Sequence, residues 1–237
     1  MQSEQQIANH EHLLDGLNAQ QRLAVTFNDG PLLIVAGAGT GKTSVLTKRI
    51  AYLIGEGLCK PHEILALTFT DKAAKEMQER VDMLLPYGAS NCAISTFNSF
   101  GNRILRDYAV ELGLSSGFTL MSSAEQVVFL TRHLFQLPLK RYRPLGNPVS
   151  CLRDLVGHFG RLKDELIEPS QYVEWANSLF EEAQSSQLAA AIDRANSHLE
   201  LAQAYQAYHD LCLRTANLDF GDQIYLTARL LDRSPHV

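Results

Sequence analysis

The chain has 237 residues, of which 46% are hydrophobic and 20% are charged, and its formal net charge is −5. This composition is typical of a globular protein and excludes a disordered tail. The negative balance also excludes a surface dominated by positive charge, although it leaves a local basic groove open. The four cysteines, at 59, 92, 151 and 212, match neither a metal-ligand spacing nor a compact disulfide framework, so we expect reduced thiols in a cytoplasmic protein.

The first part of the chain alternates predicted helices with predicted strands. The polar leader 1–14 carries no apolar signal-peptide core, and no run of about 18 apolar residues predicts a membrane span. A helix is expected over 17–27, with Asn18 as its cap. The elements predicted after it are strand 31–36, helix 43–54, strand 63–70, helix 72–85, strand 92–96 and helix 97–112. This alternation favours a parallel α/β sheet.

Beyond about residue 120 the strand signals fade and helical spacing dominates. Helices are predicted over 122–135, 151–165 and about 189–213. The stretch 137–148, with three prolines and a glycine, is predicted to be a loop that presents Lys140, Arg141 and Arg143. These three basic side chains are either a solvated loop or a contact for duplex nucleic acid.

Residues 36–43, AGAGTGKT, lie between a predicted strand and a predicted helix, the context in which a glycine-rich string predicts a phosphate-binding loop. Glycines at 37, 39 and 41 lack a Cβ, so the backbone can take left-handed conformations and turn N–H groups toward phosphate oxygens. Lys42 would reach the β and γ phosphates, and the Thr43 hydroxyl would bind Mg²⁺. The strict pattern begins with glycine where this chain has Ala36, and the alternative is a strand-to-helix turn without a ligand.

The same eight residues resemble the first motif of superfamily 1A DNA helicases, the UvrD/Rep/PcrA family, in which alanine commonly starts the loop. Upstream, LNAQQRLAV (17–25) is similar to the Q motif of that family. Downstream, ALTFTDKAAKEM (66–77) resembles motif Ia, STFNSFGNRIL (95–105) resembles motif Ib, and LDFGDQI (218–224) resembles the segment before the Walker B strand. Five ordered matches over residues 15–237 are far more specific than any one of them.

The resemblance implies a RecA-like P-loop NTPase fold: a parallel α/β sheet forming subdomain 1A, with an inserted all-helical subdomain 1B. We expect subdomain 1A over 15–119, subdomain 1B over 120–216, and a return toward 1A over 217–237. The implied ligands are ATP and Mg²⁺. Lys42 takes the catalytic position, Thr43 binds the metal, and Gln21 reads the adenine because an amide both donates and accepts. The implied nucleotide-binding residues are Gln21, Ala36, Gly37, Ala38, Gly39, Thr40, Gly41, Lys42 and Thr43.

Motifs Ia and Ib of the family line a groove for single-stranded DNA, and junctions of single- and double-stranded DNA are implied as partners. On this chain the implied DNA contacts are Thr68, Phe69, Thr70, Thr96, Phe97 and Asn98. Hydroxyls and amides can hold phosphates while an aromatic face stacks a base. The alternative is that Phe69 and Phe97 are core residues and that Thr68 and Thr96 are ordinary strand residues.

Three positions depart from the family pattern. Ser44 replaces a common arginine near the base, Asp71 replaces an asparagine, and Asn98 replaces a histidine. An aspartate beside a DNA phosphate would be repulsive, so we expect Asp71 to cap the helix that follows.

ATP hydrolysis also needs an acidic pair and a stabilising cation. The adjacent acidic pairs, Asp164–Glu165 and Glu181–Glu182, lie in helix-like contexts and are predicted to face solvent. By resemblance, the Walker B strand and the second RecA-like domain, with its arginine finger, lie beyond residue 237. We therefore expect this segment alone neither to unwind DNA nor to hydrolyse ATP appreciably. Two other functions remain open: a stand-alone regulatory module that binds nucleotide or DNA, and a nucleotide or small-molecule kinase, which leaves the Ia and Ib matches unexplained.

Overall fold

The computed structural model describes residues 11–85, 91–143 and 148–237. The chain forms two compact units, the first ending at Phe100 and the second running from Gly101 to Val237. No helix in the described ranges is both long enough and apolar enough to span a bilayer. All four cysteines are free thiols, as the sequence predicts.

The first unit contains a two-stranded parallel sheet with helices around it. Strand β1 pairs with strand β2 in the register Leu65↔Ala93 to Thr68↔Thr96. The elements in chain order are α1 (Ala19–Thr26), α2 (Lys42–Gly55), β1 (Leu65–Thr68), α3 (Asp71–Leu84), β2 (Ala93–Thr96) and α4 (Phe97–Asp107), which continues into the second unit. Parallel pairing of strands that flank a helix confirms a mixed α/β fold. The core around these strands includes Ile50, Met77, Val81 and Cys92.

The strand predicted over 31–36 is not formed. In the described part of the chain these residues have no strand partner and are exposed, with Leu33 86% and Val35 89% accessible. An apolar run of this kind suits a strand buried on both faces. Its residue types favour a strand, but a strand also needs a neighbour to complete its hydrogen bonds, and no described residue supplies one beside it.

The second unit is mostly helical, as predicted, and it also contains a parallel strand pair that the sequence did not reveal. Strand β3 pairs with strand β4, with Thr119 opposite Asn217 and Met121 opposite Asp219. The elements are β3 (Thr119–Met121), α5 (Ser123–Arg132), α6 (Pro148–Asp164), α7 (Pro169–Ser186), α8 (Ala189–Arg214), β4 (Asn217–Asp219) and α9 (Phe220–Arg233). The pairing brings the two ends of the helical segment together. The subdomain limits 119/120 and 216/217 remain predictions.

An apolar core holds the helical segment. Phe159 lies against the rings of Tyr205 and Tyr208, with centroids 5.4 and 5.2 Å away, and all three side chains are almost completely buried. A second cluster, including Leu105, Phe118, Leu218 and Tyr225, packs α4 against β4 and α9. Buried aromatic side chains of this size contribute much of the apolar area that folding removes from water.

Candidate nucleotide and nucleic-acid site

The glycine-rich loop ends in the helix start that the sequence predicts. Helix α2 begins at Lys42, and its N-cap is Gly41, whose backbone is left-handed at φ 84°. Gly39 is also left-handed, at φ 74°, whereas Gly37 is not, so the conformational freedom predicted for three glycines is used at two. Only glycine takes this conformation without a steric cost. The amides that open α2 are therefore at the positive end of the helix, where an anion is favoured.

The Lys42 ammonium lies inside this loop. Its Nζ donates to the carbonyl oxygens of Ala36 at 3.0 Å and Gly37 at 2.5 Å. The Thr40 hydroxyl donates to the same Gly37 oxygen at 2.8 Å. The lysine is exposed, so both of its acceptors can be exchanged for another group without burying a charge. The loop therefore surrounds the Lys42 ammonium, to which phosphate oxygens could bind in place of the carbonyls.

A cavity of about 400 Å³ lies beside the loop. This volume is within the range of small-molecule sites. Helix α1 forms one wall, and the loop with its flanking residues forms the other. The lining residues are Asn18, Gln20, Gln21, Ala24, Ile34, Val35, Ala36, Gly37, Thr40, Lys42 and Val45. No carboxylate is among them.

Gln21 connects the two walls of the cavity. Its Nε2 donates to the Thr40 carbonyl at 3.1 Å. Its Oε1 accepts from the Asn18 backbone N–H at 3.0 Å, while Asn18 caps α1 by accepting from the Gln21 N–H at 2.9 Å, so the predicted Asn18 cap is confirmed. Each end of the Gln21 amide makes one hydrogen bond within the chain, which leaves a second N–H and a second oxygen lone pair.

Thr43 and Ser44 lie in the first turn of α2 and are partly buried. Within the described residues the Thr43 hydroxyl makes no hydrogen bond. A free hydroxyl is one oxygen ligand of the kind Mg²⁺ prefers. No group of three or more metal-ligating side chains occurs in the part of the chain that is described. Thr43 can therefore supply one oxygen of the kind that the predicted metal role needs, and that role stays a prediction.

The residues of the predicted DNA groove include threonines that bond within turns and aromatic rings that are exposed. Thr68 is buried and its hydroxyl donates to the Thr70 carbonyl at 3.1 Å, while buried Thr96 donates to the Ser99 hydroxyl at 2.8 Å. These two threonines therefore serve the turns at the ends of β1 and β2. Thr70 caps α3 by accepting from the Ala73 N–H at 3.2 Å.

Phe69 and Phe97 lie at the same edge of the sheet. Phe69 is 93% exposed and Phe97 is 44% exposed, and their ring centroids are 5.7 Å apart. Both aromatic rings are therefore at the surface, which excludes the alternative that they are core residues. Asn98 is partly buried in the first turn of α4.

Asp71 does not cap the helix that follows β1, because Thr70 occupies that position. Asp71 is in the first turn of α3, where a negative charge is still favoured by the helix dipole. The predicted cap was wrong by one residue because both side chains can cap a helix. The acidic pairs Asp164–Glu165 and Glu181–Glu182 face solvent, as expected.

Residues 140–142 of the predicted loop are held against α8, while residues 144–147 lie outside the described residues. Glu200 accepts hydrogen bonds from the backbone N–H groups of Lys140, Arg141 and Tyr142. The Arg141 guanidinium pairs with Asp193, which raises the pKa of Arg141 through a hydrogen bond and charge attraction. The Arg143 guanidinium lies 4.7 Å from the centre of the Phe135 ring. Arg141 is thus already paired, and a duplex-contacting role for the loop remains a prediction.

Comparison with known proteins places the chain in a family. Residues 17–237 match the family described as the UvrD/REP helicase N-terminal domain. The chain belongs to the UvrD/REP helicase family. It is similar to the ATP-dependent DNA helicase PcrA of Bacillus subtilis, with 38% identity over 227 residues. It is also similar to the ATP-dependent DNA helicase UvrD1 of Mycobacterium tuberculosis, with 41% identity over 233 residues.

These alignments cover 95% and 96% of the chain but only 27% of each relative. The chain therefore corresponds to the N-terminal part of a UvrD-like helicase and spans about a quarter of the relatives' length. The resemblance read from the five motifs is confirmed.

Proposed function

We propose that this N-terminal part of a UvrD-like helicase binds ATP with Mg²⁺ at residues 36–43 and binds single-stranded DNA across Phe69 and Phe97. The observation that carries the nucleotide site is Lys42, an exposed cation on two replaceable loop carbonyls at the start of a helix. The two relatives are named ATP-dependent DNA helicases, which is consistent with both ligands.

The roles within the site follow from its contacts. Phosphate oxygens would replace the Ala36 and Gly37 carbonyls as acceptors for Lys42, and the charge-assisted bond would be the stronger one. The amides around Gly39 and Gly41, together with Ala38 and Thr40, would surround the anion. The Thr43 hydroxyl would bind Mg²⁺, whose charge offsets that of the phosphates. Gln21 would turn its amide from Thr40 toward adenine.

The DNA site would use stacking more than threonine hydroxyls. Phe69 and Phe97 present aromatic faces of the kind on which bases stack, and stacking tolerates any sequence. Thr68 and Thr96 already form hydrogen bonds within their turns, so we propose that they maintain the shape of the DNA site. Thr70 and Asn98 complete the proposed track at the two strand ends.

We further propose that the whole protein is a 3′–5′ helicase in which a second RecA-like domain acts as partner of this segment. None of the described residues that line the cavity is a carboxylate, so they supply no acidic pair to hold Mg²⁺ and orient the attacking water. The segment alone would therefore bind ATP without appreciable turnover or unwinding. A robust ATPase activity of the isolated chain, stimulated by single-stranded DNA, would contradict this proposal.

The nucleotide site is tested by titrating Mg-ATP against the wild type and Lys42→Ala, with Lys140→Ala as control. Lys140 is an exposed lysine in the other unit, so its removal changes net charge equally. We expect Lys42→Ala to weaken ATP binding at least about tenfold, because a charge-assisted bond contributes roughly 1.5–3 kcal/mol. Equal affinities of all three proteins would refute the assigned cradle.

The alternative function, a regulatory module that binds nucleotide or DNA without catalysis, makes the same binding prediction for the isolated chain. The two functions make different predictions for a longer chain. If extending the chain with the sequence that follows residue 237 gives DNA-stimulated ATP hydrolysis, the helicase function holds; if that extension stays inactive, the module is favoured.

A further inference from the structure

Two basic residues of α2, Lys48 and Arg49, donate hydrogen bonds to backbone carbonyls before and at the end of helix α1. Arg49 is half-buried, and its Nη1 donates to the carbonyl oxygens of Ala24 at 3.1 Å, Val25 at 3.2 Å and Phe27 at 2.5 Å. These carbonyls lie at the C-terminal end of α1, which closes at Phe27. Arg49 is therefore a side-chain cap that comes from a different helix.

This cap meets a need that α1 cannot meet itself. The last carbonyls of any helix lack partners within the helix. Many helices end in a left-handed glycine that satisfies them, whereas Phe27 is extended at φ −66° and ψ 127°. A guanidinium at this end both donates to the carbonyls and complements the negative end of the helix dipole.

Lys48 acts on the segment before α1. Its Nζ donates to the Asp15 carbonyl at 2.6 Å. Two successive residues of α2 thus bond to the backbone on both sides of α1. Helix α1 has only eight residues, of which Val25 alone is buried. A helix this short is only marginally stable by itself. Its position therefore depends on tethers of this kind.

The position of α1 matters because α1 is one wall of the cavity. Asn18, Gln20, Gln21 and Ala24 come from α1 or its cap, and the phosphate loop forms the opposite wall. The Gln21 Nε2 reaches the Thr40 carbonyl across this gap. A displacement of α1 would move the Gln21 amide, whereas the Lys42 ammonium, on α2, would stay in the loop.

We propose that Arg49 is a positioning residue for base recognition, with Lys48 in support. It fixes the distance between α1 and the phosphate loop, and so it sets the preference of the site for adenine nucleotides over ligands that offer phosphates alone. This role of Arg49 rests on the proposed nucleotide site. It makes recognition of the base depend on a residue that does not itself line the cavity.

The test compares a ligand with a base and a ligand without one. Mg-ATP and Mg-tripolyphosphate are titrated separately against the wild type and Arg49→Met, which keeps an apolar stem but removes the donors. We expect Arg49→Met to weaken ATP binding about tenfold, the loss of roughly 1.4 kcal/mol of base contact, and to leave tripolyphosphate binding unchanged. Arg22→Met, which removes an exposed arginine from α1, is the matched control and should behave as wild type.

Two further variants keep the proposal falsifiable if Arg49→Met unfolds, which far-UV circular dichroism would show. Arg49→Lys retains the charge with a smaller donor set, and Lys48→Met removes only the Asp15 tether. Each should lower the ratio of ATP affinity to tripolyphosphate affinity by a smaller factor. A ratio equal to the wild-type ratio in every folded variant overturns the role of Arg49.

The outcomes separate this role from the proposed function. If the wild type binds neither ligand, the nucleotide site itself is wrong and the role of Arg49 falls with it. If the wild type binds both and Arg49→Met weakens both equally, the site stands, and Arg49 only stabilises the unit.

Discussion

Two lysines show how differently the two units of this chain use the same ammonium group. Lys42 in the first unit is exposed and donates to two neutral carbonyls beside a cavity of about 400 Å³. Lys163 in the second unit is 0% exposed; its Nζ donates to the Asp219 carboxylate at 2.6 Å and forms an ion pair with the Asp222 carboxylate at 2.7 Å. One ammonium can exchange its partners, and the other cannot.

The buried group joins α6 to the start of α9. Asp219 caps α9 by accepting from the Asp222 N–H at 2.9 Å, and it also accepts from the Tyr208 hydroxyl at 2.9 Å. Burial would lower the pKa of Lys163, but its two carboxylates raise it. Burial also raises the pKa of Asp222, to about 6, since one ammonium cannot fully offset two carboxylates. A ligand site needs an accessible charge with weak acceptors, and a structural charge has the opposite features.

The strongest test of this contrast is Lys163→Met. Breaking a buried ion pair leaves unpaired carboxylates in an apolar environment, so we expect a loss of roughly 3–5 kcal/mol in the free energy of unfolding. Urea denaturation followed by circular dichroism measures it. Lys140→Met, at an exposed site, should leave the midpoint unchanged. A Lys163→Met protein as stable as wild type would show that the buried group is dispensable.

A smaller effect concerns pH. His209 is 6% exposed, and burial and the Lys163 charge lower its pKa to about 4. Because the folded state favours the neutral ring, its contribution to stability is complete above the ordinary pKa of 6.5 and is lost as the pH falls toward 4. Wild type should lose about 2 kcal/mol from this group between pH 7.5 and pH 5.

The matched variant for the pH effect is His209→Gln, which cannot take up a proton. The raised pKa of Asp222 acts in the opposite direction and remains in both proteins, so the difference between them isolates His209. Urea midpoints that change with pH by the same amount in both proteins would exclude a role for this ring.

The smallest effect belongs to the exposed aromatic pair, which contrasts with the buried rings of Phe159, Tyr205 and Tyr208. Phe69→Ala should leave stability nearly unchanged, because the ring is 93% exposed. It should weaken binding of a single-stranded oligonucleotide about tenfold, since stacking contributes roughly 1–3 kcal/mol per base. Fluorescence anisotropy measures the affinity, with Phe135→Ala, another exposed ring at 83%, as control. Equal losses for both variants would argue against a track at Phe69.

Much of the first unit could be predicted because its signals are local. The Asn18 cap, the start of α2 and strand 93–96 follow from residue types and spacing within a few positions. The strand predicted over 31–36 failed because an apolar run predicts burial, whereas a strand requires a partner that the described chain does not place beside it.

The second unit shows what spacing cannot supply. The pairing of Thr119 with Asn217 joins positions almost a hundred residues apart, and each strand has only three residues. Lys163 likewise looks like an ordinary polar residue of a helix, and no residue near it in the sequence predicts its contacts with Asp219 and Asp222. In the candidate site, the loop was predictable from its motif, but the reach of Arg49 to α1 depends on how two helices pack.

The most direct test of the account is hydrogen–deuterium exchange of the 237-residue chain with and without Mg-ATP. The account predicts that ATP slows exchange at residues 36–43 and along α1, because phosphates engage the loop amides and the base contacts Gln21. It predicts no change at the backbone N–H groups of Asp219 and Asp222, because both residues are buried and both groups are hydrogen-bonded within the second unit. Unchanged exchange at residues 36–43 under saturating Mg-ATP would contradict the central claim that this loop is the nucleotide cradle.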